Sequence, residues 1–223
     1  MTDFELARHN MVESQIRPND VTDRKIIQAM AKLPRELFVP ASVKEMAYMD
    51  RAIELNSVGS GRGGRYMMDP MSFARLVQLA AVQPEEFVLD IGCGTGYSTA
   101  VLASLAESVV GLESEESLAD RANTMLSELN IDNAAIVNGQ LERGHSSEGP
   151  YHVILINGSV ARIPAEITEQ LREGGRLVAI VRDGEMSQAT IYRRHGSKVS
   201  SFRAFDASGE SQKCFDLKPE FQF

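Results

Sequence analysis

Hydrophobic residues follow two different spacings along the chain, and beyond residue 70 these spacings alternate. Short apolar runs, typical of buried parallel strands, are each followed by stretches in which apolar residues recur every three or four positions, as in helices that face a sheet. The alternation predicts an α/β fold. The predicted strands are 87–90, 108–112, 134–137, 151–157, 176–181, 189–194 and 200–205, and the helices between them are 97–105, 118–129 and 164–171.

The first seventy residues show helical spacing and then a glycine-rich stretch. Helices are predicted at 7–15 and at 23–30, the second capped by Asp20 or Thr22, and a further helix at 71–80 leads into the alternating region. Residues 50–70 are typical of a loop, which is either a mobile surface connection or, as often with long loops in compact domains, functional. We therefore divide the chain into a helical extension with a loop, 1–70, and an α/β domain, 71–223.

Composition and charge argue against a membrane protein, a secreted protein, a nucleic-acid-binding protein and a metalloprotein. The chain has 223 residues, of which 43% are hydrophobic and 24% charged, as in ordinary soluble domains. No apolar run approaches a membrane span and the first residues lack a secretory pattern, so we expect a cytoplasmic protein with no membrane partner. A net charge of −8 argues against nucleic-acid binding. The two cysteines form no disulfide framework, and the four histidines lack metal-ligand spacing, so no metal is expected.

The densest motif is V-L-D-I-G-C-G-T-G-Y at 88–97, an apolar strand followed by a glycine turn and a helix. Glycine is required where the backbone adopts positive φ or passes close to a ligand. The spacing G-x-G-x-G differs from the G-x-G-x-x-G of dinucleotide folds, which disfavours a dehydrogenase. We expect a ligand at Gly92, Cys93, Gly94 and Gly96; a turn without a ligand is the alternative.

Glu113 ends the second predicted strand and follows Gly96 by 17 residues. In nucleotide-binding folds an acid at about this offset accepts hydrogen bonds from the ribose hydroxyls. We therefore assign Glu113 to a ribose, the alternative being a solvated charge. As an exposed acid at a strand end, it is expected to contribute little to folding. Ser114 or Ser117 is expected to cap the next helix.

The acid and glycine pattern that begins at Asp90 resembles the motif of class I S-adenosylmethionine-dependent methyltransferases. This resemblance implies a Rossmann-like fold with a central, mostly parallel, seven-stranded sheet and an N-terminal helical extension. It also implies that Asp90 lies near the amino-acid part of S-adenosylmethionine.

Several segments in order resemble the protein-L-isoaspartate O-methyltransferases: 11–16, 21–40, 47–50, 59–71, the glycine motif and 174–178. Those enzymes methylate the abnormal carboxylate of isoaspartyl residues in damaged proteins, which implies a protein or peptide acceptor. Gln140 stands where the family usually has an aspartate that binds the adenine amino group, and its amide oxygen remains an acceptor. His152 also replaces an aspartate, and we expect it to be structural and to point away from the cofactor.

The acceptor loop departs from the family, which has a stretch like G-Q-T-I-S-Q-P where this chain has G-R-Y-M-M-D-P at 64–70. Met68 replaces the serine, Tyr66 the threonine, and Asp69 the second glutamine. Asp69 would repel an anionic acceptor unless an arginine compensates. The candidate loop residues are Arg62, Arg65, Tyr66, Met67, Met68 and Asp69; the two arginines either pair with a substrate carboxylate or are solvated.

Three hypotheses follow from this altered loop. The chain is an isoaspartyl methyltransferase that works without the loop hydroxyl, a methyltransferase of the same fold with another acceptor such as an unidentified small molecule, or a non-catalytic S-adenosylmethionine-binding module. A carboxylate acceptor has a free pKa near 4 and is already ionised at neutral pH, so no general base is required. No catalytic residue is assigned.

Overall fold

The computed structural model of the protein describes residues 3–56 and 64–216. Within them, seven strands form the central sheet: β3 Phe87–Ile91, β4 Ser108–Glu113, β5 Ala134–Asn138, β6 Tyr151–Val160, β7 Leu171–Asp183, β8 Met186–His195 and β9 Lys198–Asp206. Their order is β5-β4-β3-β6-β7-β8-β9, parallel from β5 to β7 and antiparallel over the last two pairings. The predicted mostly parallel seven-stranded sheet is confirmed.

Six α-helices lie within the described residues: α1 Phe4–Met11, α2 Arg24–Lys32, α3 Pro70–Ala80, α4 Tyr97–Ala103, α5 Glu116–Glu128 and α6 Ala165–Thr168. The first continues as a π-helical turn, Val12–Ile16. Short 3-10 segments are Arg17–Asn19, Arg35–Leu37, Ala41–Met46, Leu141–Arg143 and Lys213–Phe215. Strands β1 Ile53–Glu54 and β2 Tyr66–Met67 pair antiparallel, so the predicted loop 50–70 includes a small hairpin. Arg62 lies outside the described residues.

Several predicted helix caps and helix ends differ from the structure. Asp23 caps α2, because its carboxylate accepts from the Lys25 amide at 2.8 Å; the predicted caps were Asp20 and Thr22. Helix α5 begins after Glu115 without a side-chain cap, and neither Ser114 nor Ser117 serves. Helix α6 ends at Thr168 rather than 171, because the chain enters β7 at Leu171.

Hydrophobic side chains fill both faces of the sheet. On one face, the helices of the N-terminal extension share a continuous cluster with α3, α4 and α5. On the other face, Leu89, Ile154 and Phe215 belong to a second cluster. The extension therefore packs against the same sheet face as the helices that surround the glycine turn. The boundary at residue 70 stays a prediction. Among the described residues, no helix combines the length and apolar character needed to cross a bilayer.

Arg35, in the N-terminal extension, forms hydrogen bonds that connect the extension to the acceptor loop. Its side chain is completely buried, with Nε donating to the Ala47 carbonyl at 2.7 Å and Nη2 to the Met68 carbonyl at 2.5 Å. The guanidinium lies 4.8 Å from the centre of the Tyr97 ring at the start of α4. Burial lowers the pKa of Arg35, and the nearby Tyr97 phenol opposes that effect. The loop backbone is thus fixed relative to the glycine turn.

Candidate functional site

The glycine turn between β3 and α4 requires glycine at three positions with φ of 76°, 58° and 92°, namely Gly92, Gly94 and Gly96. A Cβ on Gly94 would lie 2.5 Å from Leu55 Cδ1, and one on Gly96 would lie 3.1 Å from the Cβ of Ala122 in α5. These two glycines therefore permit close packing within the protein. Gly92 instead faces a groove at the carboxyl ends of the strands.

Asp90 lies beneath this turn, completely buried. Its carboxylate accepts three hydrogen bonds of 2.6 Å, from Ser98 Oγ, Thr99 Oγ1 and Asn157 Nδ2. Burial raises the pKa of Asp90 to about 6, while these three donors lower it and the charge of Glu113 adds to the rise. Asp90 therefore links β3 to α4 and β6. Its predicted position near the amino-acid part of a cofactor stays a prediction.

Glu113 is also completely buried, contrary to the expectation of an exposed or solvated acid at the strand end. Its Oε2 accepts from the Gly94 amide at 2.8 Å and from Arg65 Nη2 at 2.7 Å. Its Oε1 accepts from the Ser114 amide at 2.8 Å and from Arg65 Nε at 3.1 Å. The carboxylate is saturated by donors from the protein, so the expectation that it contributes little to folding loses its premise of an exposed side chain.

Arg65 is buried between Glu113 and Gln212. Besides the ion pair with Glu113, its Nη1 donates to Gln212 Oε1, and Gln212 Nε2 donates to the Asn157 carbonyl at 2.8 Å. Arg65 was expected either to be solvated or to pair with a substrate carboxylate. The side chain is not solvated, because its guanidinium is held by groups of the protein itself, and pairing with a substrate carboxylate stays a prediction.

The groove is wide on one side of Arg65 and nearly closed on the other. The wide part has a volume of about 570 Å³ and runs along the carboxyl ends of β4 and β5, past Ser114, Glu115, Asn138, Gly139, Gln140 and Leu141. Gln140 thus lies on the groove, as its predicted role requires. Beyond Arg65 and Gln212 are two cavities of about 10 Å³ each, both lined by Tyr66 and Met68.

The acceptor loop offers few polar groups to a ligand. Met67 and Met68 are buried in the hydrophobic cluster. Asp69 caps α3, its Oδ1 accepting from the Ser72 amide at 2.7 Å. Tyr66 is half-buried, and burial raises the pKa of its phenol, with smaller contributions from the charges of Glu54 and Glu210. Arg65 is committed to Glu113 and does not neutralise Asp69.

Asn157 and Gln212 were missed in the sequence. Asn157 ends an otherwise apolar buried run beside β3, and a polar side chain at that end of a parallel strand is a usable signal. Gln212 has no such signal, because it reaches the site from near the end of the chain. His152 accepts a hydrogen bond from the Phe87 amide at 3.0 Å, at the amino ends of the strands and so away from the groove, as predicted.

The strand order, the glycine turn and the acid at the end of β4 define a Rossmann-like class I methyltransferase. The family model described as protein-L-isoaspartate(D-aspartate) O-methyltransferase (PCMT) matches residues 7–205. The chain belongs to this family, whose enzymes depend on S-adenosylmethionine.

Curated relatives agree with this membership, and solved structures share the fold. A protein-L-isoaspartate O-methyltransferase of Herpetosiphon aurantiacus is 35% identical over 86% of this chain and 84% of its own. Protein-L-isoaspartate O-methyltransferase 1 of Syntrophobacter fumaroxidans is 37% identical over 82% and 83%. A solved protein-L-isoaspartate O-methyltransferase has a TM-score of 0.79 at 22% identity, covering 92% of this chain and 65% of that one. A Plasmodium falciparum chain described by the same activity, in complex with S-adenosyl-L-homocysteine, has a TM-score of 0.74 at 19% identity over 96% and 100%. At these identities the two structures establish the fold.

Proposed function

We propose that the protein transfers a methyl group from S-adenosylmethionine to the carboxylate of isoaspartyl residues in damaged proteins or peptides. The observation that carries the proposal is the family match over residues 7–205 in a chain that retains the glycine turn and the groove beside it. We further propose that it acts in the cytoplasm without a nucleic-acid or membrane partner. A net charge of −8 disfavours binding to the phosphates of nucleic acids.

The residues of the groove suit S-adenosylmethionine. We assign the adenine to the wide part, where the Gln140 amide provides both an acceptor and a donor. We propose that Glu113 accepts hydrogen bonds from a ribose once Arg65 leaves it. When bound, the cofactor supplies an electrophilic methyl group on a sulfonium. Gly92, with its positive φ and no Cβ, leaves a space beside the turn that the side chains of Arg65 and Gln212 occupy, and a ligand enters it only when they move.

At the acceptor the protein must orient the substrate carboxylate and exclude water from it. An isoaspartyl carboxylate is ionised at neutral pH and needs no general base. Catalysis then depends on holding the carboxylate in line and keeping water away from it. Met68 cannot donate a hydrogen bond for this purpose, so we propose that isoaspartyl turnover is slow and is limited by the loop rather than by cofactor binding.

The altered acceptor loop supports a second candidate function, methyl transfer to a different acceptor. Met68 occupies the position of the family serine and is buried, and the neighbouring Asp69 is engaged as a helix cap, so neither side chain provides the donor that a serine hydroxyl would. Tyr66 and the methionines would suit a more apolar acceptor. A non-catalytic S-adenosylmethionine-binding module is the third candidate.

Labelled S-adenosylmethionine separates the three candidates. Label transferred to an isoaspartyl peptide, and not to the same peptide with a normal aspartyl linkage, supports the proposal. Label that enters other molecules of a lysate but neither peptide indicates a different acceptor. Binding of S-adenosylhomocysteine without transfer in either experiment indicates the non-catalytic module.

A further inference from the structure

The buried pair between Arg65 and Glu113 lies where the proposed cofactor needs the Glu113 carboxylate. We propose that Arg65 is an internal competitor for this carboxylate, which holds the groove closed and sets the affinity for the cofactor. The inference rests on the proposed function, because it takes Glu113 as the acceptor of the ribose hydroxyls.

The two oxygens of Glu113 have no free position for a ligand. The amides of Gly94, Ser114 and Glu115 donate to them at 2.8, 2.8 and 3.1 Å, and these donors are fixed by the backbone. Arg65 adds two charge-assisted hydrogen bonds, and among the described residues it is the side chain that reaches Glu113 from a distant segment. A ribose can therefore gain acceptors on Glu113 by displacing Arg65 and not by displacing the amides.

Arg65 also fills the space beside the glycine turn. A Cβ on Gly92 would lie 3.0 Å from Arg65 Nη2 and 3.3 Å from Gln212 Nε2. Arg65 and Gln212 both line the cavity of about 570 Å³, and Gln212 also lines one of the two cavities of about 10 Å³, so we take these two side chains as the barrier between them. A ligand longer than adenosine meets this barrier before it reaches Tyr66 and Met68.

Release of the Glu113 carboxylate requires rotation of one side chain, that of Arg65. The backbone of Arg65 is held by the hairpin: its amide donates to Asn56 Oδ1 at 2.8 Å, and its carbonyl accepts from the Leu55 amide at 2.8 Å. The side chain has several rotatable bonds beyond this anchor. The backbone can keep its hairpin contacts while the guanidinium leaves Glu113, so the competition is one between side chain and ligand.

The energetic consequence is a weaker apparent affinity for the cofactor. In a buried ion pair each charge is stabilised by the opposite charge of its partner. A ligand that separates the two must therefore replace the electrostatic stabilisation that each ion loses. Ribose hydroxyls restore hydrogen bonds to Glu113 but no positive charge. We expect removal of the guanidinium to tighten binding of S-adenosylhomocysteine by about tenfold.

The test compares Arg65→Gln with the wild-type protein in calorimetric titrations with S-adenosylhomocysteine. Glutamine is neutral and is the residue of the resembled motif. The matched control is Arg17→Gln, which removes an arginine from an exposed pair with Glu13. Arg65→Gln should bind about tenfold tighter and Arg17→Gln like the wild type. Without ligand the Tm of Arg65→Gln should be lower, because Glu113 loses its partner, and the ligand should raise that Tm by more than it raises the wild-type Tm.

A second variant keeps the proposal testable if Arg65→Gln does not fold. Gln212→Ala removes one anchor of the guanidinium and leaves the ion pair, so it should tighten binding by about threefold. Wild-type protein that binds S-adenosylhomocysteine no more weakly than the folded variants overturns the competition and leaves the cofactor assignment intact. Failure of wild type and variants alike to bind the ligand overturns the proposed function and this inference together.

Discussion

The side-chain amide of Asn157 donates to Oδ1 of Asp90 at 2.6 Å and thereby joins the carboxyl ends of β6 and β3. The other oxygen of Asp90 accepts from Ser98 and Thr99 in the first turn of α4. The strand, the glycine turn and the helix are therefore fixed to the neighbouring strand by side chains of the protein itself. This buried network fixes the backbone that borders the groove. It also makes the stability of the protein depend on pH.

The first prediction concerns that pH dependence. Burial raises the pKa of Asp90 from 3.8 to about 6. The native state therefore holds the proton more tightly than the unfolded state, so the stability from this group is fully present below pH 3.8 and is lost as the pH rises through 6. Between pH 7 and pH 5 the free energy of unfolding should rise by about 1 kcal/mol more in the wild type than in Asp90→Asn.

Urea unfolding of both proteins at the two pH values measures this difference. Other titrating groups are common to the two proteins and cancel in the comparison. An equal pH dependence in wild type and variant would show that Asp90 does not titrate in this range.

The second prediction concerns Glu113→Gln. The substitution leaves the buried Arg65 guanidinium without its counter-charge, so stability should fall by about 3 kcal/mol. Affinity for S-adenosylhomocysteine should also fall, by about 1 to 3 kcal/mol, with the loss of a charged acceptor. Glu116→Gln, on the exposed first turn of α5, is the control and should change neither quantity. A fully stable Glu113→Gln protein would contradict the importance of the ion pair.

The third prediction separates two roles of Asp69. Asp69→Ala removes the N-cap of α3 and should cost about 1 kcal/mol of stability, whereas Asp69→Asn retains a capping oxygen and should cost less. Asp69→Asn also removes a negative charge beside the acceptor loop. Its turnover of an isoaspartyl peptide should exceed that of the wild type. Unchanged turnover in a stable Asp69→Asn protein would show that charge repulsion by Asp69 does not limit turnover.

The fourth prediction concerns Met68→Ser combined with Asp69→Asn. The new hydroxyl can donate to an acceptor carboxylate, which corresponds to roughly a ten- to hundredfold gain in turnover if it operates in the transition state. Because Met68 is 5% exposed, its truncation should also cost about 2 to 4 kcal/mol of stability. Met49→Ser, at a methionine that is 48% exposed, controls for loss of a thioether and should cost little.

Turnover is compared at saturating cofactor, after titration has established that the affinity for S-adenosylhomocysteine is nearly unchanged. If the folded double variant binds the cofactor and gains no turnover, the acceptor pocket differs from the family at more than these two residues. The proposal of another acceptor, or of a non-catalytic module, then gains support.

The sheet could be predicted from the sequence because each strand is a local pattern. Apolar runs and glycine turns identify β3 and β4 without knowledge of their neighbours, and the offset of Glu113 places it at the carboxyl end of β4. Helix caps were predicted less well. Asp23 and the two alternatives lie within four residues, and the sequence does not decide which side chain reaches a free amide.

The residue that pairs with the Glu113 carboxylate could not be predicted in this way. Arg65 is 48 residues distant from Glu113, and Gln212 is 147 residues distant from Arg65. Contacts over such separations depend on how the hairpin and the chain end pack over the sheet, which no local spacing encodes. The sequence therefore indicated both an arginine and an acid, but not that each neutralises the other.

Release of methanol from the product tests directly whether the protein methylates a carboxylate. Wild-type protein is incubated with methyl-labelled S-adenosylmethionine and an isoaspartyl peptide, the product is treated with mild base, and volatile label is counted. A methyl ester is base-labile, so we predict volatile methanol in proportion to the isoaspartyl peptide and none above background with the aspartyl control. Absence of volatile label from a protein that binds S-adenosylhomocysteine, or label that stays on the peptide in base, would contradict carboxylate methylation.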